Sequence, residues 1–290
     1  MPSGAIRIVV LGGSSTAGTG WNLPDVQTWP WKVHERLSKE LSNQTGQFIN
    51  AAVGGYSSFE SLGRLWSRIR FLKPDILVVN HGWNEMYYFS SVNELFERHT
   101  LPDGSWSLDV NSQPVTIYEP LWLDRFFRPS QLLTRVRFKF STMISGEVGG
   151  TASETLATSC DRRSVDVWRM NLRLIRETAS LMGAKLFIAK QATLVVPELP
   201  ASERARCRYK FHGFDHDAHV RAFSDIYRVI DDEIPQGSIV DLTVLSGQPE
   251  YFNDHVHPTP KGTTAIARIV ATHLVNYLRG KTGILAEESK

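Results

Sequence analysis

The sequence contains few cysteines and no long apolar stretch. Only two cysteines, Cys160 and Cys207, occur among its 290 residues, and their wide separation does not suggest a disulfide-stapled scaffold. No run of about 20 apolar residues is present, so the sequence predicts no transmembrane segment. No apolar stretch precedes Arg7 either. We therefore expect a protein without a signal peptide that resides in the cytoplasm.

The sequence also has little excess of either charge. Its 32 basic and 30 acidic residues leave a formal net charge of +2, which gives no reason to expect a nucleic-acid partner. Hydrophobic residues make up 42% of the chain and charged residues 21%, which are ordinary proportions for a globular protein. A chain of this length can form one large α/β domain, or two small ones, with a sizeable core.

An apolar run near the start of the chain ends in a turn rich in glycine and serine. Residues 6–11 are typical of a buried strand, and Gly12, Gly13, Ser14 and Ser15 follow directly. Small residues let the backbone turn sharply and bring its N–H groups close to a ligand. Open α/β sheets place their sites at this end of a strand. The stretch fits a nucleophilic Ser14 or a phosphate-binding turn, although it lacks the lysine of a P-loop.

Strand-like and helix-like segments alternate along most of the chain. Buried strands are predicted at residues 6–11, 48–53, 76–79, 186–189 and 238–242. Segments with apolar residues three and four positions apart lie between these strands and after the last one, as expected for helices. This alternation predicts a parallel sheet with helices on both faces. The carboxyl ends of its strands then form one common edge.

Residues 86–160 interrupt the alternation. They are rich in aromatic residues and contain no clear strand–helix unit. A long insertion after the carboxyl end of a strand often forms a wall or lid of the neighbouring site. We therefore expect a single domain over residues 1–290, with an aromatic-rich insert or lid at about 86–160.

A second group of reactive side chains lies near the carboxyl terminus. Asp254 precedes His257 by three residues, a spacing at which the carboxylate can fold back onto one imidazole nitrogen. The other nitrogen can then take the proton of a serine hydroxyl, which is a weak nucleophile without such a base. We predict His257 as the base, Asp254 as its orienting partner and Ser14 as the nucleophile. His255 is the alternative base.

Three groups could stabilise the negative oxygen that develops during acyl transfer. The N–H of Ser14 lies at a turn into a helix, and Gly55 follows the second strand with no side chain to block its N–H. The amide of Asn84 lies at the end of the third strand. Each group also has a purely structural interpretation, with Gly55 as a turn residue and Asn84 as a helix cap.

A further histidine group, His212, His216 and His219, lies beside Asp215 and Asp217. Such spacing is compatible with metal ligands on one helix. A polar helix start explains the same residues, and no matching ligand cluster stands elsewhere in the sequence. We therefore predict neither a metal nor a cofactor.

Four of these sequence blocks together resemble the SGNH hydrolases, the GDSL esterase and lipase superfamily. The blocks are residues 12–16, Asn50 with Gly55, residues 82–85 and residues 254–258, and they span nearly the whole chain. The resemblance implies a three-layer α/β/α sandwich around a five-stranded parallel sheet of the flavodoxin-like type.

The resemblance also implies a role for each matched residue. Ser14 is then the nucleophile, and His257 with Asp254 completes a catalytic triad. Ser14, Gly55 and Asn84 form the oxyanion hole. Gly13 and Glu85 depart from the pattern, because the family usually has aspartate at both positions. Neither position supplies the nucleophile, the base or an oxyanion donor, so the chemistry is retained.

The sequence thus predicts a serine esterase that hydrolyses a small-molecule carboxylic ester through an acyl-enzyme. An acyltransferase would use the same residues with an alcohol in place of water. A binding module could keep the same fold without turnover. The identity of the acyl and alcohol groups and the oligomeric state stay open at this point.

Overall fold

The computed structural model of the protein describes residues 6–18, 23–41, 45–89, 96–100, 106–110, 156–160 and 162–287. The strands in these ranges are β1 (Ile6–Gly12), β2 (Thr45–Asn50), β3 (Ile76–His81), β4 (Phe96–Thr100), β5 (Trp106–Val110), β6 (Lys185–Lys190) and β7 (Ile239–Asp241). The α-helices are α1 (Ser14–Ala17), α2 (Trp29–Glu40), α3 (Ser58–Ser67), α4 (Arg163–Leu181), α5 (Ala201–Arg204), α6 (His216–Glu233) and α7 (Pro260–Glu287). Within the described ranges, no helix is long and apolar enough to cross a membrane.

Five strands form the central sheet in the order β2-β1-β3-β6-β7, and all neighbouring strands are parallel. The chain moves outward from β1 to β2 and then returns past β1 to β3. Because crossovers between parallel strands are right-handed, this reversal places α2 on one face of the sheet and α3, α4 and α6 on the other. The contacts agree, since α2 packs against α7 while α4 packs against both α3 and α6. The predicted parallel α/β sheet is therefore confirmed.

The strands are apolar because helices cover both faces of the sheet. Every residue of β3 is buried, and so are the last five residues of β1. Side-chain caps mark the start of some of these helices. Thr28 caps α2, which has Pro30 in its first turn, and Ser57 with Glu60 forms a capping box at α3. The reversal of strand order between β1 and β3 creates a crevice at the carboxyl edge, where sheets of this type bind ligands.

The second strand differs from its sequence prediction. It covers Thr45–Asn50, three residues earlier than predicted. The following backbone still bonds to β1, because the N–H groups of Ala51 and Val53 donate to Val10 and Gly12 at 2.8 and 3.0 Å. These residues lead into the turn at Gly55, which passes over the end of β1.

The aromatic-rich insert is described only in part. Strands β4 and β5 pair as a separate antiparallel sheet, with Phe96 opposite Val110. Most of the predicted lid at about 86–160 lies outside the described residues.

Candidate active site

The carboxyl end of β1 places Ser14 at the crevice. Strand β1 ends at Gly12, Gly13 is the N-cap, and Ser14 is the first residue of the short helix α1. The first N–H groups of a helix have no acceptor within that helix. The N–H of Ser14 is therefore suited to bind an oxygen that lies beside its own hydroxyl.

His257 and Asp254 complete an unbroken hydrogen-bonded line with Ser14. The Nε2 atom of His257 lies 2.8 Å from Ser14 Oγ. Its Nδ1 atom lies 2.8 Å from Asp254 Oδ2 and 2.9 Å from Oδ1. A carboxylate on Nδ1 favours the tautomer that carries its proton there, which leaves Nε2 free to accept the proton of the serine hydroxyl. The three residues predicted as nucleophile, base and orienting partner are thus brought together.

Asp254 is held in place by its own turn. Its Oδ1 atom accepts the backbone N–H groups of Val256 and His257 at 3.0 and 2.9 Å. Burial alone would raise the pKa of this carboxyl. The hydrogen bond from His257, the charges of His255 and His257 and the Val256 N–H outweigh burial, so the pKa lies well below its ordinary value. Asp254 is therefore an ionised carboxylate across the neutral range.

Asn84 and the turn around Gly55 both lie against the backbone that precedes Ser14. The Nδ2 atom of Asn84 donates to the carbonyl of Tyr56 at 2.8 Å. Gly55 has a φ of +83°, a conformation that favours glycine. An amide group carries two N–H donors, so the bond to Tyr56 leaves the second donor of Asn84 for another oxygen. This arrangement is compatible with the predicted oxyanion hole of Ser14, Gly55 and Asn84.

This packing explains why position 13 is glycine rather than the aspartate of the sequence pattern. A Cβ atom at Gly13 would lie 2.8 Å from Asn84 Nδ2 and 3.0 Å from the carbonyl oxygen of Tyr56. Both distances are shorter than ordinary van der Waals contact. A larger residue at this position would push Asn84 away, so glycine is part of the local geometry rather than a neutral substitution.

Glu85, which also stands where the sequence pattern has aspartate, has a structural role that the sequence did not reveal. Glu85 is fully buried and accepts hydrogen bonds from the N–H and the hydroxyl of Ser58 at 2.7 and 2.6 Å. Asn171 on α4 donates to the same hydroxyl at 3.0 Å. Glu85 therefore ties the loop of Asn84 to the first residue of α3, just beyond the Gly55 turn. Burial raises the pKa of Glu85 to about 8, although the Ser58 bonds act against the shift.

His255 does not face Ser14. Its ring packs on Trp83 with the ring centroids 3.7 Å apart. Burial lowers the pKa of His255 to about 3, against the opposing charge of Asp254. His257, not the alternative His255, is the histidine that reaches the serine.

The three remaining histidines of interest face the protein interior. Nδ1 of His212 lies 3.2 Å from Nε2 of His219, and both rings pack on Trp83. His216 contacts the Tyr209 hydroxyl at 2.8 Å and the Val196 carbonyl at 2.9 Å. Burial is the largest cause of the low pKa values of His212 and His219.

One cluster in the described part of the chain brings three metal-ligating side chains together: Asp254, His255 and His257. Two of these residues belong to the hydrogen-bonded line with Ser14. A metal held between them would compete with the bond that orients His257.

Solved structures with the same fold include two at a TM-score of 0.51. One is an acetyl xylan esterase, AlAXEase, with 14% identity over 92% of this chain and 98% of that chain. The other is a lipase/acylhydrolase from Enterococcus faecalis, with 15% identity over 94% of this chain and 97% of that chain. A GDSL-like lipase from Bacteroides thetaiotaomicron is also similar, with 14% identity, 94% and 88% coverage and a TM-score of 0.48.

No protein-family model and no curated protein sequence matches the chain. The two likenesses at a TM-score of 0.51 confirm the fold predicted from the sequence, an α/β sandwich around a five-stranded parallel sheet.

Proposed function

We propose that this protein is a serine esterase of the SGNH hydrolase family, with Ser14 as the nucleophile, His257 as the base and Asp254 as its orienting partner. One observation carries the proposal. The side chains of these residues form a continuous hydrogen-bonded line, with 2.8 Å from Ser14 to His257 and 2.8 Å from His257 to Asp254. The similar solved structures, named an esterase and a lipase/acylhydrolase, are in line with this chemistry.

In the first half of the reaction, His257 Nε2 removes the proton of Ser14 as Oγ bonds to the carbonyl carbon of the ester. The carbonyl oxygen becomes negative and accepts hydrogen bonds from the N–H groups of Ser14 and Gly55 and from the Asn84 amide. The tetrahedral intermediate then collapses. The alcohol leaves with the proton that His257 returns, and the acyl group stays on Ser14.

In the second half, His257 removes a proton from water, and the hydroxide oxygen attacks the acyl carbon. Collapse releases the carboxylic acid and returns the proton to Ser14 Oγ. The ionised Asp254 stabilises the imidazolium form of His257 in both halves. We further propose that residues 1–290 act as one catalytic domain that includes the aromatic-rich insert at about 86–160.

The test uses a fluorophosphonate probe and a series of p-nitrophenyl esters with increasing acyl length. We expect the probe to add one covalent group at Ser14, located by peptide mass spectrometry. Ser14→Ala should lose the label and at least about 10³-fold in kcat. Ser38→Ala, at an exposed position on α2, is the matched control and should keep both the label at Ser14 and the wild-type kcat. Labelling at another serine, or full esterase activity in Ser14→Ala, would refute the proposal.

A further inference from the structure

Gln191 joins two loops of the candidate site through one buried side chain. It directly follows β6, and its exposed fraction is 6%. The N–H of Trp83 donates to Oε1 of Gln191 at 2.6 Å, and Nε2 of Gln191 lies 2.7 Å from Ser15 Oγ. A backbone N–H can only donate, so the amide oxygen must face Trp83 and the NH₂ group must face Ser15.

The two partners of Gln191 are the immediate neighbours of the proposed chemical groups. Ser15 follows Ser14 in α1, and Trp83 precedes Asn84. Regular pairing of β1 with β3 ends at Gly12 and Asn80, so the two loops lie beyond the last paired residues of these strands. The Gln191 amide therefore connects the two loops at a level where β1 and β3 no longer pair.

Neighbouring residues fix the position of Gln191. A Cβ atom at Gly82 would lie 2.7 Å from Gln191 Oε1, so only glycine lets the amide approach this closely. On the other side, the hydroxyl of Tyr227 on α6 donates to the backbone carbonyl of Gln191 at 2.5 Å. Gln191 also borders a narrow cleft that is lined by both Ser14 and Asn84.

We propose that Gln191 is a positioning residue, which sets the distance between the Ser14 nucleophile and the Asn84 oxyanion donor. This inference rests on the proposed function. Its effect is on the transition state, because both groups must face one carbonyl at the same time. Loss of the bridge should therefore lower kcat and leave KM nearly unchanged.

Gln191→Met keeps the length of the side chain and removes both hydrogen bonds. We expect kcat to fall about 10- to 100-fold, KM to change less than about threefold, and Ser14 labelling by the fluorophosphonate to slow about as much as kcat. Val240→Ala, a buried position on the neighbouring strand β7, is the control for lost stability. It should lower the Tm while kcat stays within about threefold of wild type. Gln236→Ala, at an exposed position, should leave both the Tm and kcat unchanged.

Ser15→Ala tests the same bridge from its other end, and it decides the question if Gln191→Met does not fold. We expect a loss of about 3- to 10-fold in kcat, and no further loss when Ser15→Ala is added to Gln191→Met, because the shared bond is already gone. Losses that multiply in the double variant would overturn the inference. So would a kcat of Gln191→Met, or of Ser15→Ala alone, that matches Val240→Ala. A wild-type protein that does not react at Ser14 would instead refute the proposed function, and the inference with it.

Discussion

Asp254 and Glu85 are two buried carboxyl groups at the same edge of the sheet, with exposed fractions of 4% and 0%. Their pKa values move in opposite directions. Burial favours the neutral form of both. Asp254 faces His257, which can share a positive charge, and it accepts two backbone N–H groups besides. Glu85 faces the neutral Ser58, and His81 beside it has a pKa lowered to about 3 by burial. The partners of each carboxyl group decide whether the effect of burial is overcome.

The difference suits the proposed chemistry. The ionised Asp254 lies on the side of His257 that is remote from Ser14, where its negative charge stabilises the imidazolium. Glu85 is adjacent in sequence to Asn84, the proposed oxyanion donor. A negative charge there would oppose the negative oxygen, so a neutral carboxylic acid can brace this loop at lower electrostatic cost.

The largest effect should come from removing the charge of Asp254. In Asp254→Asn the Oδ1 atom can still accept the two backbone N–H groups, but the NH₂ group then faces His257 Nδ1. This favours the tautomer with its proton on Nε2, which cannot accept the Ser14 proton. We expect kcat to fall about 10³- to 10⁴-fold, measured with a p-nitrophenyl ester.

Glu85→Gln is the matched control for this change, because it also replaces a buried carboxyl by an amide. It should keep kcat at pH 7 within about threefold of wild type, since the native group is already neutral. Equal losses in the two variants would show that the contrast between the two carboxyl groups does not matter for the reaction.

A third carboxyl group at the same edge should be harmful. In Gly13→Asp the new Cβ displaces Asn84, whose Nδ2 atom would lie 2.8 Å away, and the new charge lies near the oxyanion. Loss of one oxyanion donor typically costs about 10²- to 10³-fold in kcat, and we expect a loss in this range. Gly13→Ala separates the two causes, because it adds the Cβ without the charge.

The control for Gly13→Asp is Gly63→Asp on the exposed side of α3, where a Cβ meets nothing within 4 Å. It should retain wild-type kcat. Gly13→Asp with a kcat within about threefold of wild type would show that the position of Asn84 is not critical.

Removing the Glu85 side chain should affect stability more than catalysis. Glu85→Ala leaves the N–H and hydroxyl of Ser58 without their hydrogen-bond partner and creates a cavity. We expect the free energy of unfolding to fall by about 2–4 kcal/mol and kcat to fall about 10-fold as the Asn84 loop loosens. Urea denaturation and steady-state kinetics measure the two effects.

Glu60→Ala provides a close comparison at the same helix. Glu60 accepts the N–H and hydroxyl of Ser57 at 2.7 and 2.6 Å, but it caps α3 from the outer side. Its loss should cost about 1 kcal/mol with kcat within about threefold. An equal loss of kcat in both variants would assign the effect to the start of α3 rather than to the link between Glu85 and the Asn84 loop.

Local pattern was enough to predict much of the fold and the line from Ser14 to Asp254. Strands that are buried on both faces leave long apolar runs, and parallel strands bring their carboxyl ends to one edge. Asp254 and His257 are three residues apart, so one turn joins them. Only the contact from His257 to Ser14 joins residues that are far apart in sequence. It follows from the position of the site at the common carboxyl edge of the parallel strands.

The supporting contacts were not predictable in this way. Glu85 and Ser58 are separated by 27 residues, and Gln191 and Ser15 by 176. A buried glutamate and a buried glutamine have no periodicity that identifies their partners, because each contact depends on how two loops pack. The earlier start of β2 has the same origin, since its pairing with β1 and the Gly55 turn determine its ends.

The pH dependence of unfolding involves no change in activity, and it tests the two carboxyl groups most directly. The folded-state pKa of Glu85 is about 8, above its ordinary value of 4.5. The folded protein therefore holds a proton that the unfolded chain releases, and wild type should lose stability as pH rises from about 4.5 to 8, by at most about 1.4 kcal/mol per pH unit. Glu85→Gln should lack this loss. Asp254 has a lowered pKa, so its contribution is lost on the acid side, below its ordinary value of 3.8. Urea midpoints at pH 3, 5, 7 and 9 separate the two windows. Parallel curves for wild type and Glu85→Gln between pH 5 and 9 would show that Glu85 is ionised in the folded protein.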